Sequence, residues 1–316
     1  MRSCAKLVLG LPALALLASA CSINPFPSSS STSAALPIGT FADGLATELT
    51  SPTSMPPGMN NWSCKPTASH PYPVVLVHGT FANEAVSWQA LSPMLVNAGY
   101  CVFGLNYGET DATLGHFFGF ADIAVSARQL SSFVDKVLSA TSATKVDIVG
   151  HSQGGLMPRY YTNILGGASK VDMLVSLAPS NHGTTADGFS TLVTTLENLG
   201  FPSISQVGCA ACDEQLAGSS FLGSLNGNGE TVPGPKYVQI ESRYDEVVTP
   251  YTSAFLSGPA DQVQNITVQD ACATDFSEHI ALLYDPVALQ YVMNALGADD
   301  PSFSPNCSVV FPIIGG

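Results

Sequence analysis

Ser152 stands at the centre of Gly150-His151-Ser152-Gln153-Gly154, directly after the apolar run Val146 to Val149 and before a helix-compatible stretch. A serine hydroxyl serves as an acyl-transfer nucleophile when a sharp strand-to-helix turn lifts it clear of its own backbone, and glycines two positions to either side permit that turn. The turn also brings the hydroxyl to the N–H groups that open the helix, where charge developing on a reacting oxygen is stabilised. Alone the pentapeptide is weak, since a chain with 28 glycines can match it by chance. A second signal lies upstream, where Tyr72-Pro-Val-Val-Leu-Val77 reads as a buried strand running into His78-Gly79-Thr80-Phe81. That loop is where the other half of an oxyanion hole belongs. The expected donors are the backbone N–H groups of Gln153 and Thr80, with Phe81 as the adjacent alternative and the Thr80 hydroxyl as a third donor.

Ser152 needs a base, and the base needs a carboxylate to hold its tautomer. In the order nucleophile, acid, base, His279 is the expected base: it follows the last strand candidate and precedes the closing helix, in Asp275-Phe-Ser-Glu-His279. His182, in Pro179-Ser-Asn-His182-Gly, is the rival and reads better as lining a substrate pocket. His151 is expected to pack or hydrogen-bond, and His78 to support the oxyanion loop; His70 and His116 carry no specific signal. Asp245, in Arg243-Tyr-Asp245-Glu246, directly follows the penultimate strand candidate and is the expected acid. Glu246 is the neighbouring alternative, one step round the chain, while Asp187, Asp213 and Asp261 read as solvated loop acids. A glycosidase-type carboxylate pair would leave the surroundings of Ser152 unexplained.

These side chains must be carried by a scaffold. Strand candidates are Val74 to Val77, Cys101 to Leu105, Val146 to Val149, Met173 to Leu177, Tyr237 to Ile240 and Val263 to Thr267; helix candidates are Ser87 to Asn97, Asp122 to Leu138, Gly155 to Ile164 and Pro286 to Leu296. Near-continuous apolar strands alternating with helices imply an α/β fold, a mainly parallel sheet covered on both faces. From Tyr72 to about Leu296 no linker-like break separates two domains, and 34–316 reads as a single domain. Residues about 186 to 235 interrupt the rhythm and are expected as an irregular cap or loop insertion over the C-terminal strand ends, where open α/β sheets bind ligands.

Composition sets the compartment. Residues 1–20 read as an export signal: Arg2 and Lys6, an apolar run, then Ala18-Ser19-Ala20. Cys21 offers an alternative end, lipidation and a surface anchor. Residues 21–33 form a Ser/Pro-rich leader or stalk. No other segment reaches about 18 consecutive apolar residues, so no transmembrane span is expected in the mature chain. Loss of Arg2 and Lys6 leaves eight basic against 24 acidic residues, a formal charge of −16, which excludes nucleic acid as a natural partner. Acidic disorder is excluded too, because 46% of residues are hydrophobic and only 11% charged. Six cysteines remain in the body, at 64, 101, 209, 212, 272 and 307. Three disulfides are the default for an exported chain, and Cys64–Cys101, Cys209–Cys212 and Cys272–Cys307 is the favoured set, although order alone leaves other pairings open. The spacing opposes a zinc ribbon, no calcium loop is recognisable, and no metal is expected.

Several of these stretches together resemble the secreted bacterial lipases and esterases of the class 2 lipase family, and more distantly the small lipase B of yeast. The likeness rests on Val77-His78-Gly79-Thr80, the run Gly150 to Leu156, Val171-Asp172, Leu177-Ala178-Pro179, His182-Gly183-Thr184, Tyr244-Asp245-Glu246-Val-Val, and Cys272 shortly before His279. The resemblance covers about residues 62 to 310. It implies an α/β-hydrolase with a somewhat abbreviated sheet, no cofactor, and carboxylic ester substrates that include acylglycerols. It supports bridges Cys64–Cys101 and Cys272–Cys307 and oxyanion roles for Thr80 and Gln153. It is weakest across residues 186 to 235. Phe81, Leu156, Met157 and His182 are the candidate pocket residues.

Overall fold

The computed structural model describes residues 34–110, 117–201, 208–297, 299–313 and 315. The expected signal, the leader with Cys21, and His116 lie outside the described residues. Six strands, β1 (Val74–Val77), β2 (Val102–Leu105), β3 (Val146–His151), β4 (Val171–Leu177), β5 (Lys236–Glu241) and β6 (Val263–Thr267), form one sheet in the order β2-β1-β3-β4-β5-β6. Every neighbouring pair is parallel. Around them lie α1 (Phe41–Thr50), α2 (Glu84–Ser87), α3 (Leu91–Asn97), α4 (Ile123–Thr141), α5 (Gln153–Asn163), α6 (Ala186–Asn198), α7 (Ala210–Glu214), α8 (Ser220–Asn226), α9 (Val268–Ala271) and α10 (Pro286–Leu296).

Parallel strands need helices on both faces, and the alternation of side chains along each strand sorts the core accordingly. Val75, Phe103, Ile148 and Leu174 pack on one side against α4 and α5; Leu76, Val149, Val175 and Val238 pack on the other with residues of α1, α3 and α10. Helix α4 shows how sequence produces this. Asp122 caps it by accepting from the Val125 amide at 3.0 Å, and Ile123, Ala127, Leu130, Val134 and Val137 recur at helical spacing, all fully buried. Each of the larger ones contributes about 1.5–3 kcal/mol through burial.

Topology then selects the place for chemistry. β1 lies between β2 and β3, so the chain leaves β1 in one direction and returns on its other side. The crevice at such a switch point opens beyond the C-terminal strand ends. The loop after β1 carries Thr80, and the turn after β3 carries Ser152.

Two expectations need correction. The helix read as Ser87 to Asn97 is two, α2 and α3, because Asn83 caps the first, accepting from the Val86 amide at 2.9 Å, and the chain then turns to bury Trp88 completely. The insertion is more regular than expected: Thr185 caps α6 by accepting from the Gly188 amide at 3.0 Å, and Ser219 caps α8 by accepting from the Leu222 amide at 3.2 Å. Its Ser and Thr residues start helices and do not break them. All three expected disulfides are present. Among the described residues no helix is long and apolar enough to cross a membrane.

Candidate active site

The turn at Ser152 is held open by backbone approach. A Cβ on Gly150 would run into the Gly154 carbonyl oxygen, and one on Gly154 into the carbonyl of Val77 at the end of β1. The strain falls on Ser152 itself, at φ 54 and ψ −123 as the N-cap of α5, a conformation that costs a non-glycine residue roughly 1–3 kcal/mol. Its amide donates to the Leu177 carbonyl at 2.9 Å, tying the turn to β4.

Asp245 and His279 meet as the sequence order requires. His279 donates from Nδ1 to Asp245 Oδ2 at 2.8 Å, both side chains out of solvent. The other Asp245 oxygen, Oδ1, accepts from the amides of Val247 and Val248, each at 2.7 Å, so the carboxylate is fully engaged and cannot swing. Burial by itself would lower the His279 pKa; the charge and hydrogen bond of Asp245, with Glu246 and Glu278 nearby, outweigh it and hold the ring above the ordinary value. Nε2 of His279 is buried and has no hydrogen-bond partner among the described residues. Glu246, the alternative acid, does not reach the ring nitrogen that Asp245 occupies; burial, then Glu278, pushes its carboxyl up to about 7. Asp187, Asp213 and Asp261 are solvent-exposed.

The remaining histidines are accounted for. His182 is turned away, with Nε2 on Glu230 at 2.9 Å and Nδ1 on the Ser253 carbonyl at 3.1 Å. His78 donates from Nδ1 to the Gly79 carbonyl at 2.8 Å and stacks on Tyr107; burial pulls its pKa down to about 4, so it supports the loop as a neutral ring. His151 faces the His279 ring, centroids 4.8 Å apart. His70 packs on Tyr100.

The two loop amides after β1 differ in their hydrogen bonding. Phe81, at φ 64, donates its N–H to the Phe118 carbonyl at 3.0 Å and is therefore occupied. Among the described residues the amides of Thr80 and Gln153 carry no backbone hydrogen bond of this kind. A free amide on each side of Ser152 is the arrangement that an oxyanion needs. Thr80 Oγ1 accepts from Gln153 Nε2 at 3.0 Å and from Gln215 Nε2 at 2.9 Å.

Ser152, His279, His151 and Thr80 supply the polar floor of a narrow cavity of about 40 Å³, room for a few waters. Its walls are apolar, lined by Phe41, Phe81, Val86, Leu192, Leu196 and Ile280 among others. Of the four pocket candidates only Phe81 lines this space. Leu156 and Met157 lie in the core between the sheet and the α4–α5 layer, both fully buried, since α5 packs on β3 and β4, and His182 sits on the Glu230 side. Among the described residues no cluster of His, Cys, Asp and Glu is suited to hold a metal ion.

Residues 71–292 match the family described as Lipase (class 2). The chain belongs to the class 2 lipase family. Two triacylglycerol lipases, from Pseudarthrobacter phenanthrenivorans and Burkholderia plantarii, are each 40% identical to it over 97 residues, 28% of this chain and 27% and 24% of theirs. The matched stretch thus spans about a quarter of these curated relatives. Among solved structures, Aspergillus fumigatus lipase B aligns with a TM-score of 0.59 at 22% identity, covering 76% of this chain and 57% of that one. A mature Bacillus licheniformis lipase aligns at 0.50 and 13% identity, covering 73% and 94%. At these identities the structural likeness shows a shared α/β-hydrolase fold.

Several site residues escape sequence reasoning, Phe41, Leu192 and Gln215 among them. Phe41 reaches the cavity from α1, upstream of the family match; the Thr40-Phe-Ala-Asp43 capping box, with the Thr40 amide donating to Asp43 Oδ2 at 2.7 Å, is a readable sign of its helix but not of where that helix docks. Leu192 has helical spacing and no positional signal. Gln215 has none at all.

Proposed function

We propose that this protein is a serine ester hydrolase that cleaves carboxylic esters of the acylglycerol type. The observation that carries this reading is a buried histidine, His279, anchored at Nδ1 by Asp245 and bare at Nε2, in the same apolar cavity as the strained Ser152. Ser152 Oγ attacks the ester carbonyl carbon while His279 Nε2 takes its proton. The amides of Thr80 and Gln153 hold the resulting oxyanion, where one donor is worth roughly 3 kcal/mol of transition-state stabilisation. The imidazolium then protonates the departing alcohol, leaving an acyl-enzyme. Water attacks it, its proton passing to His279, and the acid is released with Ser152 restored.

Substrate class follows from the walls. An almost wholly apolar lining without a cationic side chain favours an uncharged acyl chain. Phe41 of α1 and Leu192 and Leu196 of α6 are among the side chains such a chain would lie against. The strong negative charge disfavours anionic surfaces and nucleic acid. Three disulfides suit an oxidising compartment, in keeping with export by the 1–20 signal, or with anchoring through a lipidated Cys21.

The test is initial rate on tributyrin and on emulsified triolein, below and above the concentration at which each forms an interface, with Ser152→Ala alongside. Triolein turnover that vanishes in the variant establishes a lipase. Turnover confined to dissolved short esters makes the protein an esterase. With neither, cutin-like polyester, wax and sterol esters become the next substrates, and activity that survives Ser152→Ala removes the mechanism.

A further inference from the structure

We propose that Gln215 is a positioning residue that fixes the Thr80 hydroxyl as a hydrogen-bond donor to the oxyanion. This rests on the ester-hydrolase reading above. Gln215 caps α7, the short helix begun by the Cys209–Cys212 bridge, and its side chain is 1% exposed. Its Nε2 donates to Thr80 Oγ1 at 2.9 Å and to the Ala211 carbonyl at 3.0 Å, while its Oε1 accepts from Ser180 Oγ at 2.8 Å. The Gln153 side chain approaches from the other side, donating from Nε2 to Thr80 Oγ1 at 3.0 Å and to the Gly119 carbonyl at 2.9 Å. A carbonyl oxygen can only accept, so Ala211 and Gly119 each determine which end of the neighbouring carboxamide is the NH2 group.

A hydroxyl oxygen has two lone pairs and one hydrogen. With both lone pairs of Thr80 Oγ1 taken by carboxamide N–H groups, the hydrogen must point in a third direction, and Thr80 lines the cavity that holds Ser152. Acceptance of two hydrogen bonds also polarises the O–H bond and strengthens it as a donor. The main chain that carries Gln215 is itself held: the Thr184 amide donates to the Gln215 main-chain carbonyl at 2.9 Å, and the Ala211 amide to the Phe120 main-chain carbonyl at 3.1 Å, which ties α7 to the loop bearing Gly119. The insertion therefore reaches the Thr80 hydroxyl through the Gln215 side chain.

The test compares Gln215→Glu with Gln215→Leu, each in wild-type and Thr80→Val backgrounds, by kcat and KM on a dissolved short-chain ester at pH 9, where the new glutamate is ionised. A carboxylate would accept the Thr80 proton and pull it out of the cavity; leucine only releases it. Glutamate is the closer match in shape but buries a charge, so the Thr80→Val background, which lacks the hydroxyl, separates loss of the donor from that cost. The expected result is a fall in kcat of about 10²-fold for Gln215→Glu, the scale of one lost oxyanion donor, a smaller fall for Gln215→Leu, KM little changed, and both falls much reduced in the Thr80→Val background. Leucine as damaging as glutamate, or losses that persist undiminished without the Thr80 hydroxyl, would overturn the assignment. If the Gln215→Glu protein does not fold, the Gln215→Leu and Thr80→Val cycle decides by the same criterion. A wild type inactive on every ester overturns the function reading and this assignment with it, whereas an active wild type with additive losses overturns this assignment alone.

Discussion

His151 donates from Nε2 to the backbone carbonyl of His279 at 2.8 Å, so the residue before the nucleophile candidate holds the main chain of the base candidate. Burial, and then the adjacent His279, pull the His151 pKa down to about 3, and the ring stays neutral with its proton on the nitrogen that faces the carbonyl. Replacement by leucine removes this tether and lets the His279 loop drift. A misplacement near 1 Å can cost up to about 10²-fold in rate, so kcat is expected to fall by roughly 10-fold or more with KM little changed, and His151→Gln, which can still donate, to recover part of the loss. A His151→Leu enzyme with normal kcat would remove the positioning role.

In the proposed mechanism His279 acts as a base, which requires the unprotonated ring, and its surroundings hold its pKa above the usual histidine value. kcat/KM is therefore expected to be full at alkaline pH and to fall as pH drops through that raised value. Glu246→Gln removes one of the charges that raise it and should move the acid limb to lower pH. A pH profile from 5 to 10 on a soluble ester checks the direction; a shift the other way would show that Glu246 does not act on His279 by charge.

Phe41 lines the cavity from α1, with its ring edge-on to Tyr284 at 5.7 Å, and Tyr284 is secured by donation to the Val86 carbonyl at 2.6 Å. Phe41→Ala should open space next to Ser152 and raise the preference for longer or bulkier acyl chains several-fold, while stability drops by about 3–5 kcal/mol. The ratio of kcat/KM on octanoate and acetate esters reads the first effect and a urea melt the second. An unchanged ratio would place Phe41 in stability alone.

Ser152 adopts a backbone conformation natural to glycine. Ser152→Gly should abolish turnover and yet stabilise the fold by about 1 kcal/mol, because relief of roughly 1–3 kcal/mol of strain exceeds the added entropy of an unfolded glycine. Chemical denaturation would show a higher midpoint at unchanged slope. A lower midpoint would mean that Ser152 makes contacts worth more than its strain.

Some of this site was legible in the chain and some was not. The pairing of Asp245 with His279 and the turn at Ser152 were readable because each of the three residues follows a strand candidate. Thr80 was placed at the loop after β1 without a way to separate it from Phe81; only the Phe118 carbonyl, supplied by a distant loop, withdraws the Phe81 amide. Leu156 and Met157 illustrate the opposite failure. Apolar residues beside an elbow can face the substrate or the sheet, and helical spacing alone does not say which.

What the sequence determined by itself was the machinery tied to local backbone: the run of buried strands, the glycines that let β3 turn into α5, the capped helices, and the positions after strand ends where Ser152, Asp245 and His279 had to fall. Tertiary structure alone decided what surrounds that machinery, namely the Phe41 and Leu192 walls, the His151 tether and the two carboxamides on Thr80. The reason is physical. A sharp turn or a helix cap accepts few residue types at fixed spacing, so it leaves a signature, whereas a cavity wall accepts almost any apolar side chain and a hydroxyl almost any donor, from wherever in the chain the fold delivers it.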